Sequence, residues 1–117
     1  MAYVNGFVAA VPTANRAQYV EHASTAAAFF KEQGALEVME CWGAHVPEGA
    51  VTSFAKAVKC TDDETVVFSW IVWPSKEVAD RALEAIADDP RMSEETNPMP
   101  FDAKRLIYGG FEPVVRA

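Results

Sequence analysis

Few side chains in this 117-residue chain have the types and spacing that chemistry requires. There are two histidines, His22 and His45, and an imidazole that titrates near neutrality is the commonest general acid or base. His45 falls in the loop-like stretch Gly43 to Gly49, and loops carry sites more often than helix faces do. His22 falls on a predicted helix, where a plain surface role is the simpler reading. Cys41 and His45 have a C-x3-H spacing, but zinc needs three or four ligands and the other histidine lies on that helix, so no metal is expected. Asp102, Arg105 and Tyr108 gather near the start of the last predicted strand. Arg105 with Asp102 could orient a polar ligand through charge-assisted hydrogen bonds, or form a structural ion pair at a loop-to-strand junction. Neither a nucleophile elbow nor a phosphate-binding glycine loop occurs, and no cofactor is expected. Gly109-Gly110 sits inside a strand and reads as a bulge or a close backbone approach.

The elements that must position these residues follow from periodicity. Residues 2 to 11 carry little charge and stop at Pro12, as a strand covered on both faces does. Thr13 is placed to cap a helix whose apolar positions Ala17, Val20, Ala23, Ala27 and Phe30 recur at helical spacing, with Tyr19 and Ala26 beside them and Gly34 closing it. Residues 37 to 42 make a second, more exposed strand, and residues 51 to 59 an irregular strand or a short helical turn. Thr65 to Trp73 gives the strongest strand signal, stopped by Pro74. Ser75 caps a second helix with an apolar stripe of Val78, Ala82, Leu83 and Ile86 before Pro90. Residues 91 to 104 are loop with possible helical turns, and Arg105 to Glu112 is the last strand. The order β-α-β-β-α-β predicts a ferredoxin-like α+β sandwich, one domain over residues 1 to 117, with both helices on one face of an antiparallel sheet.

Composition sets limits on function. Half the residues are apolar and the mass is 12.8 kDa, enough for a core without disulfides or metal. On the third strand Val66, Phe68, Trp70 and Val72 alternate with Val67, Ser69, Ile71 and Trp73, so neither face suits water and only one can meet the helices. A second copy is expected to cover the other; the alternative is that the extra loop at residues 43 to 59 folds over it. Ten basic against 17 acidic residues leave a net charge of -7, which disfavours nucleic acid as a partner. Residues 77 to 102 carry most of it, at a local charge of -6, as a solvated helix face and loop. The N-terminus shows no secretory signal, no run is long enough for a membrane span, and Cys41 and Cys60 suit reduced thiols, so a cytoplasmic protein is expected.

Specific strings carry a resemblance: Tyr3-Val4-Asn5-Gly6-Phe7-Val8, Glu40-Cys41-Trp42-Gly43, Asp63-Glu64-Thr65-Val66-Val67-Phe68-Ser69-Trp70, Asp89-Pro90-Arg91-Met92, and Met99 to Phe111. In that order, across nearly the whole chain, they resemble the YbaA-like uncharacterised bacterial family. Two positions depart from its pattern, Ala44-His45 where acids are usual and Ala103 where Gly is. The resemblance implies the dimeric α/β-barrel superfamily, which includes cofactor-free and haem-degrading monooxygenases. The haem-degrading kind uses an Asn on the first strand, a Trp on the third and a His in the next helix. Asn5 and Trp70 occupy comparable elements, but no His follows residue 45, so haem chemistry is not expected. Asn5, Trp70, Asp102, Arg105 and Tyr108 therefore stand as candidate pocket residues, with Asn5, His45 and Tyr108 as candidate catalytic groups. Two functions remain open. One is binding of a small apolar molecule between sheet and helices, with cofactor-free monooxygenase- or isomerase-like chemistry; the other is a non-enzymatic dimeric module for protein interaction or stress response.

Overall fold

The β-branched and aromatic run before Pro74 becomes an inner strand of the sheet in the computed structural model, which describes residues 1–117. This strand, β3 (Glu64–Trp73), pairs antiparallel with β1 (Tyr3–Pro12) on one side and with the edge strand β2 (Glu37–Trp42) on the other. A fourth strand, β4 (Ile107–Phe111), pairs antiparallel with the far side of β1, giving the order β2-β3-β1-β4. Helix α1 (Arg16–Glu32) joins β1 to β2, a short helix α2 (Phe54–Ala57) lies between β2 and β3, and α3 (Lys76–Ala85) follows β3. The fold is ferredoxin-like α+β, with α2 as an addition to the β-α-β-β-α-β order.

Two of the three helix starts follow from capping chemistry. The Ser53 hydroxyl accepts from Lys56 N–H and the Ser75 hydroxyl from Val78 N–H, each satisfying a donor that the first turn leaves free. Thr13 does not do this. Residues Thr13–Asn15 form a 3-10 turn, the Thr13 hydroxyl bonds the Thr65 hydroxyl at 2.7 Å, and α1 starts at Arg16 without a side-chain cap. Tyr19, Ala23 and Phe29 enter the core, whereas Ala17 is exposed and Val20 stays 55% exposed. Large aromatic surfaces gain most from burial, so they set the rotation in place of the small-residue stripe.

Strand register divides the residues between two faces. Asn5 opposes Ile71 and Gly6 opposes Trp70, so Asn5, Ala9, Val11, Val67, Ser69, Ile71 and Trp73 share one face. Tyr19 and Ala23 of α1 pack over Ala9, Val11 and Val67, while Ala79 and Ala82 of α3 pack over Ile71 and Trp73. The opposite face carries Gly6, Val8, Phe68, Trp70 and Phe111. The segment from Gly43 to Cys60 folds back over one end of it, where Val46, Ala55 and Val58 pack on Ala10 and Val66 and the Phe54 ring lies 5.7 Å from Phe68. Gly43 permits that return, since a Cβ there would sit 2.7 Å from the Val66 carbonyl oxygen. The rest of the face has no cover within the chain, and Met39, Phe68, Ile107 and Phe111 are exposed on it.

Arg105 fastens the approach to β4 onto the start of β3. Its Nη1 and Nη2 donate to Glu64 Oε1 and Oε2 at 2.8 and 2.6 Å, its Nε donates to Asp102 at 3.0 Å, and Nη1 also reaches the Lys59 carbonyl. The guanidinium holds the Glu64 carboxyl down at about 2, assisted by the Thr61 backbone and hydroxyl donors. A folded-state value below the unfolded one means the contribution is complete above roughly pH 4.5 and disappears as pH falls toward 2. Acid titration of wild type and Glu64→Gln, followed by urea unfolding, is expected to show a loss of stability across that window in wild type and a flatter profile in the variant.

Candidate functional site

The residues singled out from the sequence do not converge. Asn5 is buried, and its Oδ1 accepts from Trp73 Nε1 at 2.8 Å. Trp70 lies on the other face of the sheet, half-buried, with its ring centroid 5.6 Å from that of Phe68. Asp102 and Arg105 do meet, but within the strap of two carboxylates and one carbonyl around Arg105. Tyr108 stands on edge strand β4, 72% exposed, and stacks on Phe7 at 6.2 Å. It borders a shallow 280 Å³ depression with Gly6, Phe68 and Phe111. His45 is exposed in the loop after β2. His22 is half-buried, its Nδ1 3.0 Å from Asn97 Oδ1 and its ring edge-on to Phe101.

A larger concavity of 510 Å³ opens between α1 and β2, on the helix side of the sheet. Alternation along β2 turns Val38, Glu40 and Trp42 toward α1, and helical spacing on α1 turns Arg16, Tyr19, Val20, Ala23 and Ala27 toward them. The groove is therefore graded. Arg16, Tyr19, Glu40 and Trp42 make one end polar and aromatic, while Val20, Ala23, Ala27 and Val38 make the other apolar.

At the polar end Tyr19 Oη donates to Glu40 Oε1 at 2.5 Å. Glu40 is exposed as a residue, but partial desolvation of its carboxyl raises its pKa above the ordinary carboxylate range. Hydrogen bonds from Tyr19 and Ser69 oppose the rise without cancelling it. The Tyr19 hydroxyl is pushed upward by burial first and the Glu40 charge second, so it stays protonated as a donor at any physiological pH. A carboxyl whose pKa is raised by desolvation, held beside a fixed donor in a concavity, is a candidate for proton transfer. Tyr19→Phe removes the donor that favours the ionised form. The Glu40 carboxyl is then expected to titrate at still higher pH, measured by 13C NMR of the side-chain carboxyl. No upward movement would show that Tyr19 does not tune it.

Residues 37 to 42 form the exposed edge strand expected from their acids, but the pairing of Glu40 with Tyr19 was not foreseen. The available signal was parity: in Val38-Met39-Glu40-Cys41-Trp42 the acid shares its face with Val38 and Trp42, which pack toward the core. An acid on an apolar face needs a partner, and Tyr19 supplies it.

Comparison with known proteins agrees with this fold. The chain is 55% identical over 115 residues to "Uncharacterized protein YbaA" of Escherichia coli strain K12, covering 98% of each chain, and matches the Shigella flexneri protein of that name to the same extent. Among solved structures it is similar to SnoaB, a cofactor-independent oxygenase from Streptomyces nogalater, at a TM-score of 0.56 and 19% identity, covering 98% of this chain and 93% of that one. At that identity the similarity is one of fold. No helix is long and apolar enough to cross a membrane. Residues 2–103 match the family described as "Protein of unknown function (DUF1428)", and the chain belongs to it.

Proposed function

We propose that this chain is a single-domain cytoplasmic homodimer that binds a small, largely apolar molecule in the α1–β2 groove and performs cofactor-independent proton transfer on it. The Tyr19–Glu40 pair at the polar end of the groove is the observation that carries this reading. A mostly apolar concavity with a few convergent polar groups and a perturbed carboxyl is the usual form of a small-molecule site. In this reading Glu40 accepts a proton from the bound molecule and returns it, and Tyr19 holds the carboxylate in place. The similar fold of SnoaB, a cofactor-independent oxygenase, supports chemistry without a cofactor. The bare sheet face, opposite the groove, supports association with a second copy.

The rival function, a non-enzymatic interaction module, accounts for the bare face but leaves the raised carboxyl on an apolar wall without a use. Thermal-shift and native mass-spectrometric screening of small apolar molecules separates the two. Stabilising ligands are expected for wild type, since a ligand at about 100 times its Kd raises stability by roughly 2.7 kcal/mol. Ala27→Trp, which fills the apolar end from a position only half-buried, is expected to abolish their binding while the fold survives. Glu40→Gln is expected to retain binding and lose turnover. Binding that survives Ala27→Trp, or no ligand at all, would sink the groove as the site.

A further inference from the structure

Arg16 breaks two local rules. It occupies the first position of α1, where the positive end of the helix dipole disfavours a cation, and the first turn contains no acid to offset it. In a protein with 17 acidic residues its guanidinium also pairs with none of them, whereas Arg91 and Arg105 each hold two carboxylates. It lies instead over the Trp42 ring, 5.4 Å from the centroid, at the polar end of the groove. A cation at a helix start with no acid beside it breaks a local rule, and such breaks are expected at functional positions.

We infer that Arg16 receives an anionic oxygen of the ligand, so that the groove takes a largely apolar molecule bearing one acidic group. This rests on the groove being the ligand site. The guanidinium is a planar fork suited to two oxygens of a carboxylate or to an enolate or phenolate, and it is held in place by stacking on Trp42. From Arg16 to Ala27 is eleven residues of helix, about 16 Å of groove length, which accommodates an elongated body. Orientation follows from charge. The Glu40 carboxylate repels an anion, so the acidic oxygen sits at the Arg16 and Trp42 mouth, and the body runs past Ala23 toward Ala27 and Val38.

The test compares 2-naphthoate with 2-naphthamide, two probes of the same flat body with and without the charge, by isothermal titration calorimetry at low and physiological salt. Wild type is expected to bind the naphthoate about tenfold or more tighter, the effect of one charge-assisted contact, with the preference shrinking as salt rises. Arg16→Gln is expected to bring the two probes to parity, and Arg16→Lys to restore part of the preference. Equal affinities in wild type, or a preference that survives Arg16→Gln, would overturn the inference while leaving the groove intact as long as naphthamide binding is lost in Ala27→Trp. Failure of both probes to bind wild type would remove the groove reading itself, and this inference with it.

Discussion

Trp73→Ala is expected to lower the unfolding free energy by about 3–5 kcal/mol, among the largest effects of any single substitution in this chain. Trp73 is fully buried, its ring centroid lies 6.0 Å from that of Phe30 in an edge-to-face contact, and it anchors the cluster that joins Ile71 to Ala79 and Ala82. Truncation removes that packing and orphans Asn5, whose Oδ1 accepts from the indole N–H. Trp73→Phe separates the two contributions, because it keeps most of the ring volume and deletes the donor. Its expected cost is about 1–3 kcal/mol, the penalty for leaving a buried polar atom unpaired. Urea denaturation of both variants, with Asn5→Ala to complete a double-mutant cycle, measures the coupling directly. A Trp73→Phe variant as stable as wild type would show that Asn5 is not held for structure and would return it to the list of functional candidates.

The same pair shows how far the sequence could be read. Alternation on β3 is visible from composition alone, and so are its ends, because Pro74 cannot donate and Ser75 caps the next helix. What alternation does not provide is the phase of one strand against another. Asn5 and Trp70 look comparable until the register places Asn5 opposite Ile71, which puts Trp70 on the other side of the sheet. The tail of Arg105 reaches Glu64 across 41 positions, a pairing that no local pattern encodes. Asp102 and Arg105, three apart, were legible as a pair because short-range geometry alone brings them together. The groove was hidden for a different reason. Helix α1 turns Tyr19 inward onto Glu40 and, of the expected stripe, buries Ala23 while leaving Val20 and Ala27 along the groove wall.

Trp70→Asp is expected to convert the proposed dimer to monomers, with a rise of about a thousandfold in the dimer Kd. Trp70 sits mid-sheet opposite Gly6 and Met39, packed against Phe68, on the face that α1 and α3 do not cover. The segment from Gly43 to Cys60 shields only the Ala10 and Val66 end, so Met39, Phe68, Ile107 and Phe111 stay open around it. In a two-fold interface each substitution occurs twice, and a central aromatic lost at about 2 kcal/mol per copy gives about 4 kcal/mol in all. The aspartate adds a desolvation penalty in the same direction. Because Trp70 belongs to no buried cluster of its own chain, the monomer should keep its fold and circular dichroism spectrum. Sedimentation velocity at micromolar concentration checks both proteins, and a wild type that sediments as a monomer would remove the dimer. The groove lies on the opposite side of the sheet, so ligand binding measured on the Trp70→Asp monomer also decides whether one subunit holds a complete site. Retained binding makes the dimer a device for covering apolar surface, and lost binding with an intact fold makes the second copy part of the site.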